Sequence, residues 1–193
     1  MRKSLLYILC LFISSFIYSA TINIPENYPT IQEGIDAATT GDTIFVSTGT
    51  YSRETGENFP IIMISNINLI GEDEEMTILD AQQDGSVITM DNCANNTISD
   101  LTITGGAGIN GGGMLLLGSD PLLKNITITN NTSYSDGAGM YLYDSNPLLN
   151  NITISHNVTN HNGGGMYIRS SNPTLIHVTI SHNISDEGQG ILL

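Results

Sequence analysis

The fold is decided by the stretch "GGGMLLLGSDPLLKNITITNN", residues 111–131, because the chain repeats it twice without a gap. The second copy, "GAGMYLYDSNPLLNNITISHN", occupies residues 137–157, and the third, "GGGMYIRSSNPTLIHVTISHN", occupies residues 163–183. Each copy therefore starts 26 residues after the one before it, and looser copies flank them at residues 94–106 and 188–193. A fixed period of this length predicts a repeat architecture.

Each unit contains short alternating runs, such as "MYLY" and "NITIS", separated by Gly, Asn, Asp, Ser and Pro. Alternation bounded by turn residues is typical of strands with one buried face. One unit has too few apolar side chains for a core, so the units must stack, with equivalent strands pairing in parallel about 4.8 Å apart. The sequence therefore predicts an all-β parallel β-helix with coils of about 25–26 residues.

Alternation also predicts which side chains face the interior of the coil. We expect Ile126 and Ile152 to point inward, and their neighbours Thr127 and Thr153 to point outward. The asparagines that end the three copies predict a structural ladder, whose amides bond up and down the stack in a turn with left-handed backbone. These residues are Asn131, Asn157 and Asn183.

The N-terminal segment, residues 1–20, has the pattern of a secretory signal peptide. Arg2 and Lys3 precede an apolar run, and small residues follow it. The run is shorter than a membrane span and is broken at Ser14 and Ser15, so we expect export and no transmembrane segment after signal removal, with an anchored N-terminus as the alternative. Residues 21–193 then form one β-helix domain of a secreted or cell-surface protein.

The two ends of this domain differ. A capping box from Thr30 to Glu33 opens "TIQEGIDAATTG", residues 30–41, and predicts a short helix that covers the first coil. The chain stops on "ILL", in the first strand of a new coil. Because an uncovered apolar edge invites aggregation, we expect a domain truncated at its C-terminus, with further coils or domains in a longer chain.

The net charge of the chain limits the classes of binding partner that we expect. Removal of Arg2 and Lys3 leaves three of the five basic residues against 19 acidic residues, a balance of 3 − 19 = −16. So acidic a surface repels nucleic acid and anionic lipid, which excludes both as expected partners. A polysaccharide or cell-surface glycan fits this charge, and no cofactor is expected, although calcium stays open.

Three parts of the chain resemble known families. "YPTIQEGIDAATTGDTIFVSTGTY", residues 28–51, resembles the first coil of the pectate-lyase-like right-handed parallel β-helix superfamily. Its continuation, "TGENFPIIMISNINLIGEDEEMTILDA", resembles an uncharacterised β-helix domain family with GDTI, GTY, GE-FP and L-G motifs. The later repeats are similar to those of polymorphic outer-membrane proteins. The resemblance implies a right-handed coil and export, but no activity, because the superfamily contains lyases, hydrolases, esterases, epimerases and non-enzymes.

The strongest candidate binding residues are aromatic. Parity predicts that Tyr141, Tyr143 and Tyr167 form an exposed outer patch with Arg169, beside two leucines at 115 and 117. Flat rings with a polar tip suit stacking on sugar faces. The alternative is that the tyrosines only brace the outside of the sheet.

No catalytic or metal-binding residue is assigned. The resembled lyases need a calcium-binding acidic set and a basic residue, but the only outward basic residues in the repeats are Lys124 and Arg169. The acidic run "GEDEE", residues 71–75, either offers calcium ligands or is a solvated loop. His156 and His182 occupy equivalent positions, where they either share a metal or replace asparagine in a polar ladder.

Three functions follow as expectations. The first is an exported, non-catalytic scaffold of a larger surface or secreted protein that binds glycans or another surface through its outer faces. The second is a polysaccharide lyase or related carbohydrate-active enzyme whose site lies in missing coils. The third is ice binding by Thr-x-Thr and Thr-x-Ser ranks, which begin with Thr102 and Thr104 and recur in each repeat.

Overall fold

The computed structural model describes residues 19–193, which form a right-handed parallel β-helix of about seven turns. The predicted all-β class and coil length of about 26 residues are confirmed. Except for Ser19 and Ala20, the predicted signal peptide lies outside the described residues.

The elements follow the repeat along the chain. Helix α1 spans Ile31–Ala37, and a single 3-10 turn spans Arg53–Thr55. The strands are β1 Thr21–Ile24, β2 Thr43–Val46, β3 Gly49–Tyr51, β4 Ile61–Ile62, β5 Asn68–Gly71, β6 Thr77–Asp80, β7 Ile88–Asp91, β8 Thr97–Thr104, β9 Ala107–Gly108, β10 Met114–Leu117, β11 Leu122–Thr129, β12 Thr132–Ser133, β13 Met140–Tyr143, β14 Leu148–Ser155, β15 Val158–Thr159, β16 Met166–Arg169, β17 Thr174–Ser181 and β18 Ile191–Leu192.

The strands form three parallel sheets that run along the axis of the coil. The nine-stranded sheet has the order β1-β2-β5-β8-β11-β14-β17, with β3 and β6 paired beside that path. The six-stranded sheet has the order β4-β7-β10-β13-β16-β18, and the three-stranded sheet has the order β9-β12-β15. Met140 pairs with Met114 on one side and with Met166 on the other, which confirms the register set by the 26-residue step.

The core lies inside the coil and is built by alternation. Ile126 and Ile152 are buried, whereas Thr127 and Thr153 on the same strands are partly exposed, so the predicted faces are confirmed. Stacked isoleucine, leucine and methionine side chains continue from rung to rung, so each coil covers the apolar face of the next.

Helix α1 covers the first coil, as the sequence predicts. Thr30 is the N-cap, and its hydroxyl accepts a hydrogen bond from the backbone N–H of Glu33 at 3.2 Å. Ile31 and Ile35 are buried in the core. A second acceptor, Glu57, takes the N–H of Ile31 at 2.6 Å, so two side chains satisfy the free donors of this helix start.

The asparagine ladder exists and is buried. The Oδ1 atom of Asn157 accepts from both the backbone N–H and the Nδ2 amide of Asn131, each at 3.0 Å. The Oδ1 atom of Asn183 accepts in the same way from Asn157, at 2.9 and 3.0 Å. The three side chains are therefore joined up and down the stack by hydrogen bonds.

The sequence predicts left-handed backbone at the ladder asparagines themselves, and this prediction is wrong by one residue. Positive φ angles of 55°, 57° and 56° occur at the preceding positions, Asn130, His156 and His182. The ladder amides must point into the coil to reach one another, so the preceding residue makes the corner and is exposed. Asparagine tolerates a left-handed corner better than most residues do.

A second, outer ladder bends the long strands of the nine-stranded sheet. Asn151 has a φ of 58° and donates from Nδ2 to Oδ1 of Asn125 at 3.0 Å. Asn125 donates in turn to Oδ1 of Asp100 at 2.7 Å. This ladder faces solvent, so its bonds compete with water.

Candidate functional site

The outer face of the six-stranded sheet carries two columns of large side chains. Strands β10, β13 and β16 place one residue of each column on successive rungs. The first column consists of Leu115, Tyr141 and Tyr167, and the second consists of Leu117, Tyr143 and Arg169. The structure therefore brings all four predicted ligand-binding residues onto one face.

This face is concave and forms a groove of about 540 Å³. Its floor is apolar and aromatic, built from Leu115, Leu117, Tyr141 and Tyr143. Binding sites for organic ligands combine such a floor with a few polar groups that fix orientation. We call this feature the tyrosine groove.

Tyr141 is not exposed, contrary to the prediction. Only 8% of its surface is accessible, because neighbouring rungs cover it on both sides, Leu115 on one and Tyr167 on the other. Its ring stacks on that of Tyr167 with centroids 5.3 Å apart and planes 10° apart. Burial raises the pKa of Tyr141, and the nearby Arg169 partly opposes this shift. Tyr141 therefore shapes the floor and presents little area to a ligand.

Tyr143 is the accessible ring of the groove. It is 38% exposed, and the guanidinium carbon of Arg169 lies 5.5 Å from its ring centroid. This is a cation–π contact, which holds the ring in place on the outer face. Tyr167 is partly exposed on the next rung, stacked on Tyr141.

Four polar residues complete the groove, and the sequence reasoning missed all of them: Asp91, Asn92, Asn110 and Asp144. Asp91 pairs with Leu117, so extending the 26-residue step one rung toward the N-terminus was enough to find it. Asn110 and Asp144 lie in the turns before β10 and after β13, where alternation gives no direction.

The two carboxylates of the groove have no cationic partner. Within residues 19–193 the one salt bridge joins Arg53 to Asp84 at 3.0 Å. The Asp91 carboxylate accepts a hydrogen bond from the amide of Asn92 at 2.8 Å, and Asp144 lies exposed in a left-handed turn with φ 47°. Neither carboxylate of the groove is therefore held in a salt bridge.

The side chains of the Thr-x-Thr and Thr-x-Ser ranks lie in register on the nine-stranded sheet, but some of their hydroxyls are already hydrogen-bonded within the protein. Thr127 pairs with Thr102 and with Thr153, as the repeat predicts. The "GEDEE" loop folds over the first rungs, where Glu74 accepts hydrogen bonds of 2.8 Å from the hydroxyls of Thr102 and Thr127. The same loop uses Asp73 to accept the N–H groups of Glu75 and the next residue. In the part of the chain that is described, no three His, Cys, Asp or Glu side chains are grouped to hold a metal.

His156 and His182 stack as rungs of a ladder. Their centroids are 5.1 Å apart and their planes differ by 4°. Because imidazole lone pairs lie in the ring plane, two parallel rings do not converge on one ion. Asn130 occupies the equivalent corner in the first copy, so the geometry favours the structural interpretation of this pair.

A family model described as "protein of unknown function (DUF1565)" matches residues 19–192. None of the curated proteins matches the chain. The single helix between residues 19 and 193 has seven residues, and no described helix is long and apolar enough to cross a membrane.

Proposed function

The chain belongs to the DUF1565 family of β-helical proteins, and we propose that it is a non-catalytic scaffold that binds a linear glycan in the tyrosine groove. In this proposal the scaffold is exported, as the signal-peptide pattern of residues 1–20 predicts. The single observation that carries this proposal is the concave outer face, with an aromatic and apolar floor and polar residues around it.

The chemistry of the groove suits a sugar. A pyranose ring has an apolar face and a belt of hydroxyl groups, so it needs a flat apolar surface with hydrogen-bonding groups at its edges. Leu117 and Tyr143 provide the surface, and the amides of Asn92 and Asn110 provide donors and acceptors.

The spacing of the coil suits a linear polymer. The tyrosine groove crosses rungs that lie about 4.8 Å apart, and this spacing is close to the length of one pyranose unit along a linear glycan. A chain lying along the axis therefore meets a similar surface at each successive unit. The two columns that define this direction continue from β10 through β13 to β16.

The test begins with a glycan array probed with the mature chain, followed by calorimetric titration of the oligosaccharides that bind. We expect Tyr143→Ala to weaken binding about tenfold, since Tyr143 is the accessible ring that lines the groove and aromatic anchors carry about 1 kcal/mol or more of interface energy. Tyr134→Ala is the matched control, because Tyr134 is 73% exposed and does not line the groove.

Substitution of Tyr141 is not informative here, because its burial makes the variant a test of stability. Thermal melts of the other variants show whether the fold is kept. An array without any ligand, or a Tyr143→Ala variant that binds as tightly as Tyr134→Ala, would exclude the tyrosine groove as a glycan site.

A further inference from the structure

Building on the proposed function, we infer that the tyrosine groove selects glycans that carry free amino groups and rejects uronic acid polymers. Two observations combine in this inference. The groove has an aromatic floor, and its only charged lining residues are Asp91 and Asp144, both without a cationic partner.

The carboxylates of Asp91 and Asp144 are separated along the axis of the coil, the direction in which the groove floor also runs. Asp91 ends β7, and Asp144 follows β13, with β10 between these strands. They are therefore two rungs apart, a separation of roughly 10 Å along the axis. Leu117 lies on the rung between the two aspartates, and Tyr143 lies on the rung of Asp144, directly before it in the chain. A linear glycan on this floor thus presents alternate units to the two aspartates.

Among the described residues, no positive side chain forms a salt bridge with Asp91 or Asp144. Arg53 is paired with Asp84, and Lys124 lies on β11 of the nine-stranded sheet. Arg169 is exposed at the groove end, with its guanidinium over Tyr143. The whole chain carries a formal net charge of −14, which adds a long-range repulsion against polyanions.

An ammonium group on the glycan would supply the cationic partner that Asp91 and Asp144 lack. It forms charge-assisted hydrogen bonds with a carboxylate, and these are roughly twice as strong as neutral ones. A uronate cannot form these bonds and places its carboxylate near Asp91 or Asp144, where like charges repel.

The experiment compares three oligosaccharides of equal length by calorimetric titration, at slightly acidic pH and low salt. They are a β-1,4-glucosamine oligomer, its neutral N-acetylated form and a galacturonate oligomer, the last with and without calcium. We expect the glucosamine oligomer to bind at least about tenfold more tightly than the neutral form, and to lose this advantage in high salt. We expect no binding of galacturonate under either condition.

The variant Asp91→Asn/Asp144→Asn keeps the shape of both side chains, and asparagine tolerates the left-handed conformation at 144. It should bind the two glucosamine-based oligomers equally. Asp186→Asn is the matched control, an exposed aspartate outside the groove, and it should keep the preference.

The outcomes separate the two proposals. If the neutral oligomer binds with no preference for the amine, or if the double variant keeps the preference, the inference on amino groups is overturned and the glycan groove stands. Binding of galacturonate overturns it as well, and a requirement for calcium would assign the aspartates to that ion. If no oligosaccharide binds, both proposals fall.

Discussion

Replacing Asn157 with alanine tests what holds the coils in register. Asn157 is fully buried and takes part in the inner ladder through both ends of its amide. Its Oδ1 accepts two bonds of 3.0 Å from Asn131, and its Nδ2 donates to the carbonyl of Ile128 and to Oδ1 of Asn183, each at 3.0 Å. Alanine removes all four bonds.

In the alanine variant, some former partners of Asn157 keep another hydrogen bond. Asn183 Oδ1 keeps the backbone N–H of residue 157 at 2.9 Å, and Asn131 Nδ2 keeps the carbonyls of Ile103 and Thr129 at 3.1 Å. The backbone N–H of Asn131 and the carbonyl of Ile128 lose their side-chain partner inside the coil. At about 1–3 kcal/mol for each buried group left unsatisfied, we expect a loss of about 4 kcal/mol in the free energy of unfolding.

Urea unfolding followed by far-UV circular dichroism measures this loss. With a slope of about 2 kcal/mol per molar urea, the midpoint should fall by about 2 M. Asn151→Gly is the control on the same coil, because Asn151 donates one bond in the outer ladder and glycine adopts its φ of 58° freely. We expect a cost below about 1 kcal/mol there. If Asn157→Ala costs no more than Asn151→Gly, the inner ladder does not stabilise the coil as argued.

Two further predictions concern the helix cap and the corner positions. Burial raises the pKa of Glu57 above its ordinary value of 4.5, although the N–H groups of Ile31 and Gln32 partly oppose this. A raised carboxyl pKa in the folded chain stabilises the fold below the ordinary value of 4.5, and this contribution is lost as pH rises through the folded value, so Glu57→Gln should gain stability relative to the native chain as pH rises above 4.5. A pH-independent difference between their thermal melts would contradict this. At the corner with φ 57°, His156→Asn should change stability by less than about 0.5 kcal/mol and His156→Val should cost about 1–2 kcal/mol, so equal melting temperatures would refute the assignment.

The architecture was predictable because the repeat is regular. A step of 26 residues forces equivalent residues onto neighbouring rungs, so the pairing of Met114 with Met140 and the inward direction of Ile126 follow from spacing alone. Alternation within each strand then separates the core from the outer faces.

The corner position was not predictable from composition. Asn130 and Asn131 are adjacent, and both side chains tolerate a left-handed backbone. The repeats do contain a signal, since the first position becomes histidine at 156 and 182 while the second is always asparagine. The position that varies is the exposed corner, and the one that does not vary needs its amide inside the coil.

Only part of the tyrosine groove was predictable from the sequence. Its floor follows from parity, but the burial of Tyr141 depends on how the Tyr167 ring stacks against it. Asn110 and Asp144 come from turns, whose path alternation does not describe. The predicted export, the lyase and the ice-binding face stay predictions.

The most direct test of the central claim is to map bound glycan by amide chemical shifts in two-dimensional NMR. On titration with an oligosaccharide selected on the array, we predict saturable shifts at Leu115, Leu117 and Tyr143 in the groove. Thr153 and Thr179, on the nine-stranded sheet, should not move. Shifts confined to those threonines, or the absence of shifts at any residue, would contradict a glycan site in the tyrosine groove.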